Sequence, residues 1–557
     1  MQKAQGIALV VTLAVLVAVA LLTFATSVTT MISQWSARNE RGATEAYYVA
    51  ETGLQEWKTR LFQAYRWQLS QRISNTASQN APSRSECDNV LAGGVDWNRN
   101  GSIDADETLP ATRSGSVPMG SGTGTYTVTI AQDPTRSRFM LVRSVGRFNG
   151  SQAIVQATFD LSNTGPWNYA IFSGAGAANR HLNGGATIRG GLYVQGQSNN
   201  PSKVVIDSNG NFEMLNEYNY TNDTLLANRL NADMRSLSNL CATLRVQYGR
   251  VEVGGSAQYG TPQNRLLGAY VGASINDIFG NTSNVCQANR GICTDDRGAF
   301  DLPPALAPRF PEFHTTPCTQ DPSRTWATCV REEAANRGLR ITSSAILFPL
   351  GALPTSPLSC VLGNVLSGGV LRFGSTSVDC RYTLNGKTGG FRYSAGNPGT
   401  LEIYGTLHVS GLNVIFDRAV NYQAFDFTDP SKRNASIFVE GGSITLNGDL
   451  LPDASSATFP NQVLGLLAQN NIEQLTDNAM GVFYAGNRFR TRRDQRTLGS
   501  VVANEFCTTG AGNNDPCNAG QRAEVTYIPT MGNIPVAARI PRDTIVASFK
   551  IMSYERR

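Results

Sequence analysis

The sequence predicts an α+β module, made of a long N-terminal α-helix and an antiparallel sheet, that carries a large mainly-β solenoid or β-helix-like domain. Three observations predict this fold class. An uncharged apolar run opens the chain, three strand-like runs follow within residues 124–161, and from about residue 166 short Val/Ile/Leu runs alternate with Gly and Asn. At 557 residues the chain exceeds the size of a single hydrophobic core, so we expect more than one folding unit.

The apolar run has the length of a membrane span. Residues 7–28 contain no charged side chain, and as a helix they would extend roughly 33 Å, enough to cross the hydrocarbon layer. No signal-peptide cleavage pattern follows. Instead, an apolar stripe recurs at three- and four-residue steps through Tyr47, Ala50, Leu54, Trp57 and Leu61. The sequence therefore predicts one helix over residues 7–62 that leaves a membrane and becomes amphipathic; an ordinary uncleaved signal anchor is the alternative.

Two motifs in this region point to a known family. Lys3 and Gly6 ahead of the apolar helix resemble the class III leader of type IV pilins, and AYYVAETGLQ resembles the A-E-x-G-L signature that follows the helix in PilX-type minor pilins. The resemblance implies that residues 1–6 are a leader, that a prepilin peptidase cuts after Gly6, and that Ile7 becomes the methylated N-terminus. It also implies a single-pass inner-membrane precursor whose helix later contacts other minor and major pilins.

One position departs from the pilin pattern. Most pilins carry a glutamate at the fifth mature position, where it pairs with the N-terminal amine of a neighbouring subunit, but counting from Ile7 places Val11 there. A carboxylate within a bilayer costs several kcal/mol unless it is paired, so a subunit without one does not need to dock behind an earlier subunit. PilX-type minor pilins share this absence, so the resemblance implies an initiating or tip position.

The stretch DWNRNGSIDADE, residues 96–107, matches the EF-hand calcium loop at every position. Ca²⁺ takes six to eight oxygen ligands, and this spacing offers side-chain oxygens at alternate positions with a sharp turn at Gly101. The predicted ligands are Asp96, Asn98, Asn100, Ser102 through its main-chain carbonyl, Asp104 and Glu107. Because the flanks do not have a helical pattern, we expect an isolated structural calcium loop; a polar turn without metal is the alternative.

The cysteines favour disulfides over a metal site. The chain has 10 Cys and only 3 His, and no close pair has the CxxC spacing of a zinc knuckle. The close pairs are Cys286 with Cys293, Cys318 with Cys329, Cys360 with Cys380, and Cys507 with Cys517, and Cys87 and Cys241 remain. Loop-closing disulfides place most of the chain outside the cytoplasm; buried reduced thiols in a cytosolic protein are the alternative.

The strand patterns divide the remaining chain. Residues 63–165 contain the runs GTYTVTIAQ, RFMLVRSVGRF and SQAIVQATFDL, which predict the head sheet. Residues 166–535 show short strands with glycine corners at uneven intervals, which predicts a solenoid with disulfide-closed loops; a β-sandwich is the alternative. Residues 536–557 end in another strand, which we expect to return to the head sheet, making the solenoid an insertion.

A pilin-like helix and head joined to a large solenoid resemble the large competence minor pilins. That resemblance implies a place at the tip of a type IV pilus and binding of double-stranded DNA during natural transformation. The local basic cluster is NRFRTRRDQR, with Arg488, Arg490, Arg492, Arg493 and Arg496 against Asp494. In a strand, the first three arginines would project from one face towards phosphates, with Tyr484 and Phe489 near for base stacking; a solvated hairpin is the alternative.

No common hydrolase motif is present in the sequence. There is no GxSxG elbow, Walker loop or HExxH motif, and GAGAAN at Gly174 fails the dinucleotide pattern. The net charge of +5 is too small to indicate a polyanion partner by itself. Together with the absence of these motifs, the resemblance to the competence minor pilins implies a non-enzymatic DNA-binding pilus subunit at the cell surface. The alternatives are a tip adhesin or assembly-priming subunit without DNA binding, and an anchored carbohydrate-active β-helix enzyme.

Overall fold

The structure is a computed structural model. It describes residues 2–75, 94–98, 100, 102–120, 122–132, 139–163, 165–175, 182–183, 185–208, 211–277, 286–287, 290–302, 307–318, 321, 323–492, 494–509, 523–529, 535–538 and 547–556. The chain forms two compact units. The helix–sheet unit comprises Met1–Tyr65, Leu91–Leu161 and Phe549–Arg557, and the solenoid unit comprises Arg66–Val90 and Ser162–Ser548. The long helix, the antiparallel sheet and the large mainly-β domain confirm the predicted fold class.

Helix α1 runs over Gln2–Asn75, beyond the predicted end at residue 62. Its segment Leu9–Leu61 is long and apolar enough to cross a membrane, with a peak mean hydropathy of 2.7. The A-E-x-G-L signature lies inside α1, within the helix predicted over residues 7–62. Its glycine does not end the helix because the preceding and following residues keep the helical apolar spacing. The buried face consists of Ala46, Val49, Ala50, Leu54, Trp57, Leu61 and Ala64.

The sheet of the helix–sheet unit has five strands in the order β1, β2, β3, β4 and the C-terminal strand. The bounds are Ala111–Met119 for β1, Gly122–Gln132 for β2, Phe139–Phe148 for β3, Ser151–Asn163 for β4 and Ala547–Arg556 for the C-terminal strand. The first four pair antiparallel in sequence order. Strand β1 was not predicted because ATRSGSVPM has few apolar residues; Pro118 is tolerated there because β1 is an edge strand.

Small residues let α1 approach the sheet closely. A side chain on Gly146 of β3 would lie 2.3 Å from both the Ala46 carbonyl oxygen and the Ala50 amide nitrogen. On the helix side, Gly53 leaves room for the Tyr126 ring, whose hydroxyl donates to Glu56. Burial and this contact with Glu56 raise the pKa of Tyr126 to about 12. The glycine of the signature therefore serves the packing of α1 on the sheet.

Parallel ladders form the solenoid. Ladder A follows, in spatial order, Leu339–Thr342, Thr406–Ser410, Arg433–Glu440, Gln462–Ala468, Asn478–Arg492, Arg496–Thr509, Ile171–Ser173, Leu192–Val194, Thr243–Val246, Leu266–Val271 and Thr294–Gly298. Ladder B follows Val370–Phe373, Asn413–Phe416, Ile444–Leu446 and Ile472–Gln474, then the C-terminal halves of Asn478–Arg492 and Arg496–Thr509. Ladder C follows Gly399–Tyr404, Val420–Phe425, Leu450–Pro452, the first residues of Asn478–Arg492 and Arg496–Thr509, Glu524–Tyr527, Thr187–Arg189, Glu213–Leu215, Gln258–Tyr259 and Gly291–Ile292.

Shorter elements complete the solenoid unit. A fourth parallel ladder joins Leu182–Asn183, Val204–Ser208, Arg250–Val253 and Ile275–Asp277. The helices are α2 (Thr224–Arg229), α3 (Trp326–Arg337) and α4 (Leu362–Val365), with 3₁₀ turns at Pro166–Asn168, Ala232–Met234 and Val536–Ala538. Antiparallel pieces are Tyr218–Asn219, Ser236–Leu237, Ile346–Leu347, Leu353–Pro354, Leu366–Ser367, Val378–Asp379, Tyr382–Leu384 and Lys387–Ser394. Coils of unequal length explain why the sequence shows no strict period.

One coil contains strands from both ends of the solenoid sequence. Ile171–Ser173 and Glu524–Tyr527 both pair in parallel with Arg496–Thr509, Val501 aligning with Ile171. On its other side, Ile171–Ser173 pairs with Leu192–Val194. In the same way, Glu524–Tyr527 pairs with Thr187–Arg189. The chain therefore enters and leaves the solenoid at this composite coil, with one stack of coils on each side.

The solenoid has an inner and an outer core. The inner core lies within the coils and includes Ile188, Phe416 and Phe489; the outer core covers the middle of ladder A and includes Trp326 and Tyr484. Ladder A is therefore buried on both faces there, and all seven residues of QVLGLLA in Gln462–Ala468 are buried.

An ion-pair cluster fixes α3 to ladder A. Arg331 of α3 donates from Nε to both Glu440 oxygens, at 3.0 and 2.9 Å, and His408 Nε2 lies 3.0 Å from Glu440 Oε2. Burial opposes ionisation of Glu440, but the contacts with His408 and Arg331 outweigh it and lower the pKa of Glu440 to about 2. The carboxylate therefore stays ionised under all ordinary conditions and holds the helix over the outer core.

Disulfides close surface loops of the solenoid unit. The described residues contain Cys286–Cys293, Cys318–Cys329 and Cys360–Cys380. Cys241 and Cys507 are also disulfide-bonded, whereas Cys87 and Cys517 lie outside the described residues.

Candidate functional site

Three features carry the functional predictions: the exposed half of α1, the loop 96–107 and the arginine cluster near residue 490. In α1, every residue from Leu9 to Val28 is exposed, Val11 included. A continuous apolar surface of this length is stable only when lipid or other apolar helices cover it. Residues 2–7, which contain the predicted cleavage site after Gly6, belong to the same helix.

The loop 96–107 folds around two buried carboxylates. Asp96 and Glu107 are each only 2% exposed. Glu107 Oε1 accepts from the amides of Trp97 at 2.9 Å and Asn98 at 3.3 Å, and its Oε2 accepts from Asp104 N at 3.0 Å. The last predicted ligand therefore closes the loop onto its beginning.

The asparagines of the loop contact Asp104. Asn98 Nδ2 and Asn100 Nδ2 donate to Asp104 Oδ2 at 2.9 and 3.2 Å, while their Oδ1 atoms accept from the Asn100 and Ser102 amides. Trp97 also packs edge-on against Trp57 of α1, with ring centroids 5.1 Å apart. The loop is therefore fixed to the buried face of the helix.

The donor types of this loop suit Ca²⁺, and its side chains bond to one another and to the loop amides. Carboxylate, amide and carbonyl oxygens are the ligands that Ca²⁺ prefers. In the part of the chain that the structure describes, however, no three His, Cys, Asp or Glu side chains lie close enough together to hold a metal ion. Binding of an ion by Asn98, Asn100 and Asp104 would replace the amide contacts that Asn98 Nδ2 and Asn100 Nδ2 make with Asp104.

The arginine cluster lies on two parallel coil strands. Arg488, Arg490 and Arg492 end the strand Asn478–Arg492 and are half-buried, alternating with the buried residues between them. Arg496 begins the next strand, which pairs in parallel, so the alternative of a hairpin is wrong. Arg493 lies outside the described residues. The predicted projection of alternate arginines from one face is therefore present in the structure.

Coil stacking gives these arginines carboxylate partners. Arg488 Nη2 lies 2.8 Å from Glu505 Oε2, Arg490 Nη1 lies 3.6 Å from Glu473 Oε1, and Arg496 pairs with Asp223. The sequence places only Asp494 beside the cluster, because the partners from other coils are distant in sequence. The surface is therefore much less positive than the sequence indicated.

The aromatic residues of the cluster are not available for base stacking. Tyr484 is fully buried in the outer core, where its hydroxyl donates to the Pro311 carbonyl. Phe489 is fully buried in the inner core and stacks on Phe506 with ring centroids 5.7 Å apart. The expectation that these rings stack on nucleic-acid bases is wrong, because the strand is buried on both faces at Tyr484 and its alternation turns Phe489 inward.

A helix that is apolar in its first half and packs on an antiparallel sheet in its second half defines the chain as a type IV pilin. The family model described as PilX N-terminal matches residues 5–55. The chain is similar to the crystal structure of the competence-associated pilin ComZ from Thermus thermophilus, with 36% sequence identity and a TM-score of 0.68. The match covers 93% of this chain and 97% of ComZ, while no curated protein sequence matches significantly. The chain belongs to the type IV minor pilins, in the ComZ family.

The Arg488 pair yields a stability prediction. Arg488→Ala should destabilise the solenoid unit by about 3 kcal/mol, because it leaves the Glu505 carboxylate, only 2% exposed, without its cation. The matched variant Arg372→Ala should cost about 0–1 kcal/mol, because its partner Asp417 is 33% exposed. Urea unfolding followed by circular dichroism measures both changes. Equal destabilisation by the two variants would contradict the interpretation that Arg488 compensates the buried charge of Glu505.

Proposed function

We propose that the chain is a non-enzymatic minor pilin at the tip of a type IV pilus-like filament, where it binds extracellular DNA for uptake in natural transformation. The observation that carries this proposal is the similarity to a competence-associated pilin, which extends through the solenoid as well as the helix. A relative that shared only α1 would support a pilin and nothing more specific.

Size and the missing glutamate support the tip position. The solenoid unit comprises most of the chain, and a head of this bulk does not suit repetition along a close-packed filament. Val11 removes the carboxylate with which a pilin docks behind an earlier subunit. Both features favour a subunit that stands first in the filament, anchored by α1 among other minor and major pilins.

The arginine row is the proposed DNA contact. Arg488 and Arg490 project from the same face, and alternate residues of a strand are roughly 6.6 Å apart, which suits successive phosphates. A guanidinium group has five N–H donors, so the half-exposed Arg488 can donate to a phosphate while it keeps Glu505 as its buried partner. Such contacts follow the DNA backbone and do not distinguish sequences.

Fluorescence anisotropy of labelled duplex DNA with the full chain in non-ionic detergent tests this contact. We expect affinity to fall linearly on a log–log salt plot. The variant R488Q/E505Q/R490Q/E473Q removes two paired arginines and leaves the net charge unchanged. This variant should reduce the magnitude of the slope of log affinity against log salt concentration by about 0.9 for each phosphate that the protein no longer neutralises.

The matched control is R372Q/D417N, which removes another outward arginine with its carboxylate partner from ladder B. It should leave the slope unchanged. No binding at the lowest salt would reject the DNA proposal. The pairing of the arginines with carboxylates favours the second candidate in that case, a tip adhesin or assembly-priming subunit without DNA binding.

We also propose that the loop 96–107 binds one structural Ca²⁺. With the ion a hundredfold above its Kd, binding stabilises the folded state by about 2.7 kcal/mol, so the melting temperature of the full chain should rise when Ca²⁺ replaces a chelator. Glu107→Gln should abolish that rise because it removes the ligand that closes the loop. Ser102→Ala should keep it, because Ser102 supplies only its main-chain carbonyl. Identical melting with and without Ca²⁺ in the unchanged protein would exclude the site.

Processing by a prepilin peptidase is proposed at Gly6. Cleavage there leaves Ile7 as the N-terminus, and intact-mass measurement of protein from its own host should show residues 7–557 plus one methyl group. Gly6→Leu should accumulate in the inner membrane as the full precursor, whereas Gln5→Ala should be processed. Normal cleavage of the Gly6 variant would refute the leader assignment.

A further inference from the structure

One end of the solenoid carries a long segment without charge. Residues 341–371, here called the cap segment, contain no Asp, Glu, Lys, Arg or His, although charged residues make up 16% of the chain. The segment extends from Leu339–Thr342 at the end of ladder A to Val370–Phe373 at the end of ladder B. Solenoid ends normally have a polar outer face, which keeps them soluble. The cap segment is an exception to that rule.

The cap segment exposes a group of aliphatic side chains. Leu350 is 99% exposed, Leu358 91% and Leu353 72%, and Leu347 and Val361 are also exposed. Outside α1, the other large apolar side chains that are exposed among the described residues are Ile103 and Leu225. The exposed apolar surface of the solenoid unit is therefore concentrated in this one segment.

The leucines are held on closed turns. The Ala352 amide donates to the Pro349 carbonyl at 3.1 Å beneath Leu350, and the Ser359 amide donates to the Ser356 carbonyl at 3.1 Å beneath Leu358. The disulfide Cys360–Cys380 ties the second turn to the neighbouring strand region. The leucines are thus presented on fixed turns whose backbone groups are partly satisfied.

We propose that the cap segment inserts its leucine tips into the surface of a lipid bilayer. Protein interfaces are enriched in aromatic residues, Met and Arg, and leucine is under-represented among the hot-spot residues that contribute most of the binding energy. The exposed set here is aliphatic. Side chains that are 91–99% exposed also stand clear of their neighbours, which suits a fluid hydrocarbon layer better than a flat protein surface.

The distribution of charge around the cap segment also favours a lipid bilayer as its partner. Charged groups are strongly disfavoured in hydrocarbon, and the segment has none. The first charged residues on either side are Arg340 and Arg372, both cationic, although Arg372 pairs with Asp417 at 3.0 Å. Cationic flanks suit a bilayer with anionic headgroups. This inference does not depend on the proposed binding of DNA.

A vesicle-capture experiment tests the inference on the full chain. The protein is reconstituted through α1 into vesicles of phosphatidylcholine with a minority of phosphatidylglycerol, and protein-free fluorescent vesicles of the same lipids are added. We expect the proteoliposomes to capture the fluorescent vesicles. L350D/L358D should reduce capture by roughly tenfold for each leucine, since each inserted leucine contributes on the order of 1.4 kcal/mol. S256D/Q263D adds the same charge at exposed positions of another coil and should leave capture unchanged.

Hydrogen exchange at residues 349–360 provides the second measurement, because the tips can also insert into the vesicle that holds α1. Slower exchange in proteoliposomes than in detergent, abolished in L350D/L358D, would support insertion there. Neither capture nor slower exchange would overturn the proposal. Association that occurs only between two protein-bearing vesicles would also overturn it, since the occupant would then be a second copy of the chain.

Discussion

The solenoid unit depends on the parallel backbone pairing of Arg496–Thr509 with Ile171–Ser173 and Glu524–Tyr527. Without that pairing, each of the two coil stacks would end in a strand edge with unpaired amides and carbonyls, which is a template for aggregation. The composite coil joins the edges and makes the inner core continuous across them. It also brings both ends of an inserted domain together, as an insertion between adjacent strands requires. In the sheet, those strands are β4 and the C-terminal strand, which are neighbours.

The same stacking determines the electrostatics of the arginine row. Each coil places its outward residues beside those of the next coil, so Arg488 meets Glu505 and Arg490 meets Glu473. A row that is strongly cationic in sequence therefore becomes a row of ion pairs. The proposed phosphate binding would add a second anionic partner to arginines that already have one, so its favourable contribution would come mainly from release of the counterions of DNA. Binding of this kind is weak at each phosphate and strongly dependent on salt.

Local sequence patterns predicted α1, strands β2 to β4 and the solenoid class, because hydrophobic spacing within one element does not require knowledge of its neighbours. The sequence does not predict the end of α1, because the apolar stripe of the helix is no longer clear after Leu61. It does not predict strand β1, because that strand has few apolar residues. The partners of the arginines could not be predicted, because coils of unequal length conceal which residues align. The burial of Tyr484 was missed for a related reason: a strand that is covered on both faces has no polar side to reveal. The match of residues 96–107 to a calcium loop predicts oxygen ligands and does not predict that the amides of Asn98 and Asn100 donate to Asp104.

Uncharged apolar sequence has two different structural outcomes in this chain. In α1 every backbone group from the second turn onwards bonds within the helix, so the segment can lie across a hydrocarbon layer. The cap segment consists of short strand pairs, single turns and the four-residue helix α4, so its backbone hydrogen bonds do not form one continuous helix. Backbone of that kind cannot cross a bilayer, because its remaining amides and carbonyls need water or protein partners. Insertion of the cap segment is therefore limited to the depth of its leucine side chains.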